Sequence, residues 1–164
     1  MKGVRTAQVI SAFAAGLFFG LMFTFVVVIQ RMLVPLSASD YTRIMQNLIH
    51  GADNPPLVPM VVVVGMVAPL YALFRLRRAT RSMTWKLTFW GWLVFLVGVF
   101  AVTMIINVPI NNQIVKWNVQ SPPSDWQEIR DRWNAISYLR TPAAGISFVL
   151  FMLSLLHPLP EDKP

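Results

Sequence analysis

The sequence contains no cysteine among its 164 residues. This absence excludes disulfide bonds, thiolate metal sites, iron–sulfur clusters and thiol nucleophiles. Histidine is scarce as well, since the chain has only His50 and His157. Four membrane spans would place these two residues on opposite sides of the membrane, too far apart to share a metal. No glycine-rich phosphate loop of the P-loop or dinucleotide type occurs. We therefore predict neither a metal site nor a bound cofactor.

Acidic residues are absent from four long apolar runs, residues 6–34, 57–74, 87–108 and 141–159. Each run approaches the roughly 20 residues that an α-helix needs to cross a hydrocarbon layer about 30 Å thick. Apolar residues make up 55% of the chain, a composition that does not suit a soluble domain of this size. We predict an all-α integral membrane protein, a four-helix bundle in which residues 1–164 form a single domain in contact with membrane lipid.

Acids are also missing from the short loop 75–86. Its basic residues are Arg75, Arg77, Arg78, Arg81 and Lys86. Because basic short loops stay in the cytoplasm, we predict that this loop and both termini are cytoplasmic, most simply at the plasma membrane. Tags at Thr80 and at the carboxyl terminus should then both report the cytoplasm. With Lys2 and Arg5 the loop holds seven of the fourteen basic residues, so topology explains much of the net charge and nucleic-acid binding is not expected.

Small residues recur in the first run, where Ala12, Gly16 and Gly20 are spaced by four positions. Such a surface lets a second helix approach closely. The pattern favours packing within the bundle, and the alternative is a seam between two copies in a homo-oligomer.

The segments 35–56 and 109–140 are predicted to form an outer cap built partly of short helices. A helix should begin near Ser39 and Asp40 and end at Gly51. Gln46 and Asn47 lie on this helix as either solvated residues or donors facing a cavity. Asn54 opens the turn into the second span.

A polar stripe ends the third run, because Thr103, Asn107 and Asn111 follow one another at four-residue spacing. An amide at membrane depth costs free energy unless it is hydrogen-bonded, so it usually faces the interior or a wet cavity. Pro109 removes a backbone donor and leaves the Ile105 carbonyl free, which favours a bend or an opening of the helix. The amides serve either to join helices or to form a site.

A second stripe precedes the fourth run, with Trp133, Ser137 and Arg140 on one side of a predicted helix over 124–141 that Ser124 caps. The tryptophan and Tyr138 also suit an aromatic belt at the membrane surface. Arg140 has no acid one turn away on the span side. It either extends to the interface or points inward as a fixed cation for an anionic group.

These residues occur in an order that resembles a known family. The matching pieces are Gly16 and Gly20, Pro35-Leu36, Met45-Gln46, Asn54-Pro55, Asn107-Val108-Pro109-Ile110-Asn111-Asn112, and Trp133 with Arg140-Thr141. The chain resembles the anthrone oxygenase-like family of small four-span membrane proteins, and the resemblance extends over nearly its whole length. Its most specific piece is the Asn-Val-Pro-x-Asn motif followed by the tryptophan and the Arg-Thr pair.

The resemblance implies an activity, because characterised members oxidise anthrones to anthraquinones with molecular oxygen and no cofactor. It therefore implies a cofactor-independent oxygenase acting on a small hydrophobic aromatic substrate. The alternatives are a non-catalytic membrane protein that binds a lipid or quinone-like molecule, and a structural membrane subunit.

The two polar stripes lie at the same membrane depth, so we predict that Asn107, Asn111, Trp133 and Arg140 line one cavity near the outer face, which Gln46 or Asn54 reaches from the cap. The resemblance implies roles for residues of this cavity. Arg140, Asn107 and Asn111 would stabilise an oxyanion, Tyr138 would relay a proton, and Trp133 would stack on a flat ring. Many relatives have a histidine at the position of Tyr138, so an imidazole base is not implied here.

Overall fold

The computed structural model describes residues 2–159, so Met1 and residues 160–164 of the predicted domain lie outside the described residues. Within that part the chain is helical and has no strand. The helices long and apolar enough to cross a membrane are α1 (Lys2–Leu33), α3 (Leu57–Arg75), α4 (Met83–Val115) and α5 (Trp126–Leu156). The shorter α2, Ala38–Asp53, connects α1 to α3. The predicted all-α, four-span class is confirmed.

The four spans pack as a ring in which each helix has two main neighbours, and α1 and α4 also meet in the centre, where Phe18 lies against Phe95. α1 packs against α3 and α5, and α4 packs against the same two helices. Glycine permits the closest approaches: a Cβ on Gly98 would lie 2.5 Å from the Ala143 Cβ, and one on Gly16 would lie 2.9 Å from the Phe148 ring. The surface of α1 at Gly16 therefore packs against Phe148 of α5 in the same chain. Association of two copies stays an untested alternative.

The two ends of the bundle differ in character. The basic end carries the 75–86 loop and both described chain ends, and the cap end carries α2. At the basic end the Arg5 guanidinium donates to the carbonyls of Leu155 (3.0 Å) and His157 (2.6 Å), so α1 satisfies the last carbonyls of α5. That the basic end faces the cytoplasm of a plasma membrane stays a prediction.

The cap helix α2 begins with a side-chain cap. The Ser37 hydroxyl accepts a bond from the Asp40 backbone N–H (3.2 Å) and donates to the Asp40 carboxylate (2.7 Å). One face buries Tyr41, Met45 and Ile49. The helix runs through Gly51 to Asp53 rather than ending at the glycine, because glycine only weakens a helix whereas the prolines after Asn54 stop it.

The helices α4 and α5 are longer than the apolar runs 87–108 and 141–159. The segment 124–141 is not a separate cap helix: it forms the first half of α5, which begins at Trp126 without a side-chain cap from Ser124. Pro109 does not break α4, because wider π-helical turns at Leu96–Ala101 and Thr103–Asn107 precede it. There the Val108 N–H donates to the Thr103 carbonyl, five residues back. The wider turn lets α4 continue past Pro109 although the proline has no backbone N–H to donate.

Candidate functional site

A cavity of about 470 Å³ lies in the cap-end half of the bundle. All four spans and α2 contribute to its wall, which is mostly apolar and includes Phe18, Val62 and Phe100. Its volume falls within the range of roughly 300–1,000 Å³ that is typical of small-molecule sites. Most of the polar lining side chains lie on the side formed by α4 and α5, and they give the cavity its chemistry.

Arg140 is the charged group of this polar wall, and it is only 3% exposed. Its Nη1 donates to the Asn107 Oδ1 (3.0 Å) and the Thr103 Oγ1 (3.3 Å), and its Nη2 donates to the Ser137 Oγ (3.3 Å). All three acceptors are neutral, and the buried Nε has no hydrogen-bond partner within the described residues. Arg140 therefore points inward rather than to the interface.

No carboxylate balances this guanidinium within the described part of the chain, where the one ion pair joins Arg130 to Asp131. A buried charge without a counterion costs several kcal/mol of solvation free energy, and neutral hydrogen bonds offset only part of that cost. An anionic group entering the cavity would supply the missing partner. The wall is thus built to receive negative charge.

Asn107 stands beside the guanidinium at the end of the second π-helical stretch of α4 and is 4% exposed. Its Oδ1 is taken by Arg140, whereas its Nδ2 is buried without a partner among residues 2–159. The free amide N–H₂ and the guanidinium are neighbouring donors on one wall. Irregular π-helical turns are common at functional sites, because they redirect side chains that a regular helix would place elsewhere.

Trp133 forms a flat part of the wall. Its ring lies 4.7 Å from the Phe25 ring, centre to centre, and the Arg140 guanidinium carbon lies 5.8 Å from the centre of the indole. Its Nε1 donates to the Asn111 Oδ1 at 2.8 Å, so Asn111 fixes the orientation of the indole. A cation near an aromatic face is stabilised by the ring quadrupole.

The structure gathers four of the seven predicted site residues around this cavity, namely Arg140, Asn107, Asn111 and Trp133. Three do not join them. Tyr138 is 60% exposed, because residues two positions apart on a helix point to nearly opposite sides and Arg140 points inward. Asn54 is exposed at the turn between α2 and α3.

Gln46 has a different role from the one predicted. Its amide Nε2 donates to the carbonyls of Ile114 (3.0 Å), Val115 (3.3 Å) and Trp117 (3.0 Å). Ile114 and Val115 end α4 and Trp117 follows it, where the helix no longer supplies a backbone donor to every carbonyl; the Ile114 carbonyl also accepts from the Trp117 N–H (3.1 Å). Gln46 thus joins the cap helix to α4 and does not line the cavity.

Sequence reasoning missed Asp53 as a cavity residue and left Asn47 undecided between solvent and a cavity. Both are exposed and line the cavity from α2, and Asp53 is the one acidic side chain among the lining residues described. Asn47 and Gly51 are one helical turn apart, so their spacing indicates a shared face of α2. Nothing in the spacing singled out Asp53. No group of three histidine, aspartate or glutamate side chains within residues 2–159 is close enough to hold a metal ion.

Comparison with known families agrees with the motifs. The model of the family described as anthrone oxygenase matches residues 47–150, which is more than half of the chain and includes the cavity walls from α3, α4 and α5. The first span, with Gly16 and Gly20, lies outside the match, so the resemblance is narrower than the motifs suggested. None of the curated proteins and none of the solved structures matches the chain. By its family match, the chain belongs to the anthrone oxygenase family.

Proposed function

We propose that the protein is a cofactor-independent oxygenase that uses molecular oxygen to oxidise a flat phenolic, anthrone-like molecule within the membrane. The observation that carries the proposal is the buried Arg140 in the wall of an apolar cavity, next to Asn107, whose amide N–H₂ has no hydrogen-bond partner within residues 2–159. Family membership supports the same activity, because characterised members convert anthrones to anthraquinones in this way.

The reaction needs a proton acceptor and a stabilised oxyanion. Removing a ring-methylene proton converts the anthrone into its enolate, whose negative charge lies on the oxygen. The guanidinium of Arg140 and the amide of Asn107 would stabilise this oxygen in a poorly solvated pocket. Asp53, which lines the cavity, is the carboxylate available to take the proton toward water. Tyr138 takes no part, because it points away from the cavity.

Oxygen then receives electrons from the enolate. One electron passes from the enolate to dioxygen and leaves a substrate radical and superoxide. These two combine through a new carbon–oxygen bond, and the peroxide anion that results takes up a proton. The peroxide loses water as the second ring-methylene proton leaves, and a new carbonyl remains. One oxygen atom enters the product and the other leaves as water. The indole of Trp133 would hold the flat substrate in place by stacking.

Oxygen uptake by purified protein in lipid tests this proposal. Wild-type protein supplied with a simple anthrone should consume oxygen faster than the protein-free solution. Arg140→Gln should slow turnover by about a hundredfold or more, because loss of one oxyanion donor typically raises the barrier by about 3–4 kcal/mol. Arg132→Gln is the matched control, since this exposed arginine is on the same helix and outside the cavity.

Two results would count against the proposal. If Arg140→Gln turned over substrate at the wild-type rate, Arg140 would not stabilise the oxyanion. Anthrones that bind but cause no oxygen uptake, across a panel of them, would favour the alternative of a membrane protein that binds a quinone-like molecule without converting it.

A further inference from the structure

The seam between α3 and α4 is closed at the basic end and loosens toward the cap end. α3 packs against Met83–Phe95 of α4 and has only slight contact with Leu96–Ala101. Beyond that point α4 continues toward the cap, where its final segment Val108–Val115 packs against α2 instead. Both helices contribute to the cavity wall where this seam is loose.

Two side chains at this seam belong both to the cavity wall and to the outer surface of the bundle. Val63 of α3 is 53% exposed and Met104 of α4 is 47% exposed, and both line the cavity. Val63 lies six residues into α3, about 9 Å along its axis from Leu57. The outer surface at this depth of a membrane-crossing helix faces lipid, so the cavity reaches the lipid-facing surface here.

The rim of the opening changes character along the seam. Val63 and Met104 make it apolar on the membrane side, whereas Asn47 and Asp53 of α2 make it polar on the cap side. We infer that the cavity opens sideways into the bilayer between α3 and α4, with Val63 and Met104 as the sides of a portal. The ligand is a membrane-dissolved molecule with an apolar flat body and an acidic oxygen that meets Arg140. This description of the ligand rests on the proposed function, whereas the route is independent of it.

A single cysteine can report the route, because the natural chain has none. Thr103→Cys places a thiol on the cavity wall next to Arg140, at a side chain whose Oγ1 lies 3.3 Å from the guanidinium. In vesicles this thiol is treated with N-phenylmaleimide, which dissolves in the bilayer, or with a charged maleimide that does not. Labelling is compared in Val63→Trp and Val67→Trp backgrounds. Val67 is the matched control, 58% exposed on the same helix and not part of the cavity wall.

The apolar reagent should label Thr103→Cys quickly, and the charged reagent should label it slowly. Val63→Trp should slow the apolar reagent by about tenfold or more, because entry then requires the new indole to move; Val67→Trp should leave the rate unchanged. Met104→Trp, with Ile105→Trp as its lipid-exposed control, repeats the test from α4 if the valine variant does not fold.

Equal rates in the portal and control variants would overturn the inference. So would fast labelling by the charged reagent that the tryptophans do not change, since that result means entry from water past Asn47 and Asp53. Labelling does not depend on turnover. A protein that shows the portal effect and consumes no oxygen would contradict the proposed function alone.

Discussion

At the scale of single residues, the most unusual feature is a cation buried among neutral groups. Arg140 makes its hydrogen bonds to Asn107, Thr103 and Ser137, and none of these offsets its charge. An arginine kept only for packing would be expected beside a carboxylate, because an unpaired buried charge lowers stability. The charge of Arg140 lowers the stability of the folded protein and at the same time provides a binding partner for an anion, a trade-off that is common at functional sites.

This argument predicts the effect of Arg140→Gln on stability. The glutamine removes the charge and keeps an amide that can bond Asn107, so the free energy of unfolding should stay the same or rise by about 1–2 kcal/mol. Thermal unfolding in detergent measures it, with Arg132→Gln as the exposed control. A fall of several degrees confined to Arg140→Gln would assign the arginine to packing.

Part of the cavity wall could be predicted from residue spacing. Thr103, Asn107 and Asn111 share a face because a four-residue step nearly completes a helical turn. Helical spacing also shows that Tyr138 and Arg140, two residues apart, point to nearly opposite sides, although the family resemblance implied that both act in one cavity. Asp53 could not be predicted, because its position depends on how far α2 extends past Gly51.

At the scale of elements, the cap is attached through a small number of polar contacts. Gln46 donates to the last two carbonyls of α4, those of Ile114 and Val115, and this end of α4 also carries Asn107 and Asn111 of the cavity wall. The sequence predicted the cap helix and the position of Gln46 on it. It did not predict the partner of Gln46, because α4 was expected to end near Val108 rather than to continue to Val115.

Gln46→Met should therefore loosen the cap. Methionine has a similar length and donates no hydrogen bond, so the carbonyls of Val115 and Trp117 lose their bond to Gln46 at a cost of about 1–3 kcal/mol. Thermal unfolding measures the loss. Arg43→Met, at an exposed position one turn earlier on the same helix, should have little effect. Equal melting temperatures for Gln46→Met and wild type would show that apolar packing alone holds α2.

At the scale of the whole molecule, hydropathy determines the fold class. Backbone groups in lipid satisfy their hydrogen bonds in helices or in closed β-barrels, and continuous apolar runs of about 20 residues have the length of spanning helices rather than of barrel strands. The cavity could not be predicted in this way. It depends on how α3 and α4 pack against each other, which is a contact between distant segments, and on two local features that apolar runs do not show, the π-helical turns before Pro109 and the extent of α2.

The central claim is that this bundle transfers oxygen from dioxygen to an aromatic molecule without a cofactor. The most direct measurement supplies purified protein with an anthrone under oxygen-18 gas, with no added nicotinamide, flavin or metal, and determines the product mass. The account predicts a quinone that carries one oxygen-18 atom and forms faster than in a protein-free sample. A product formed no faster than in that sample, or one whose new oxygen comes from water, would contradict it.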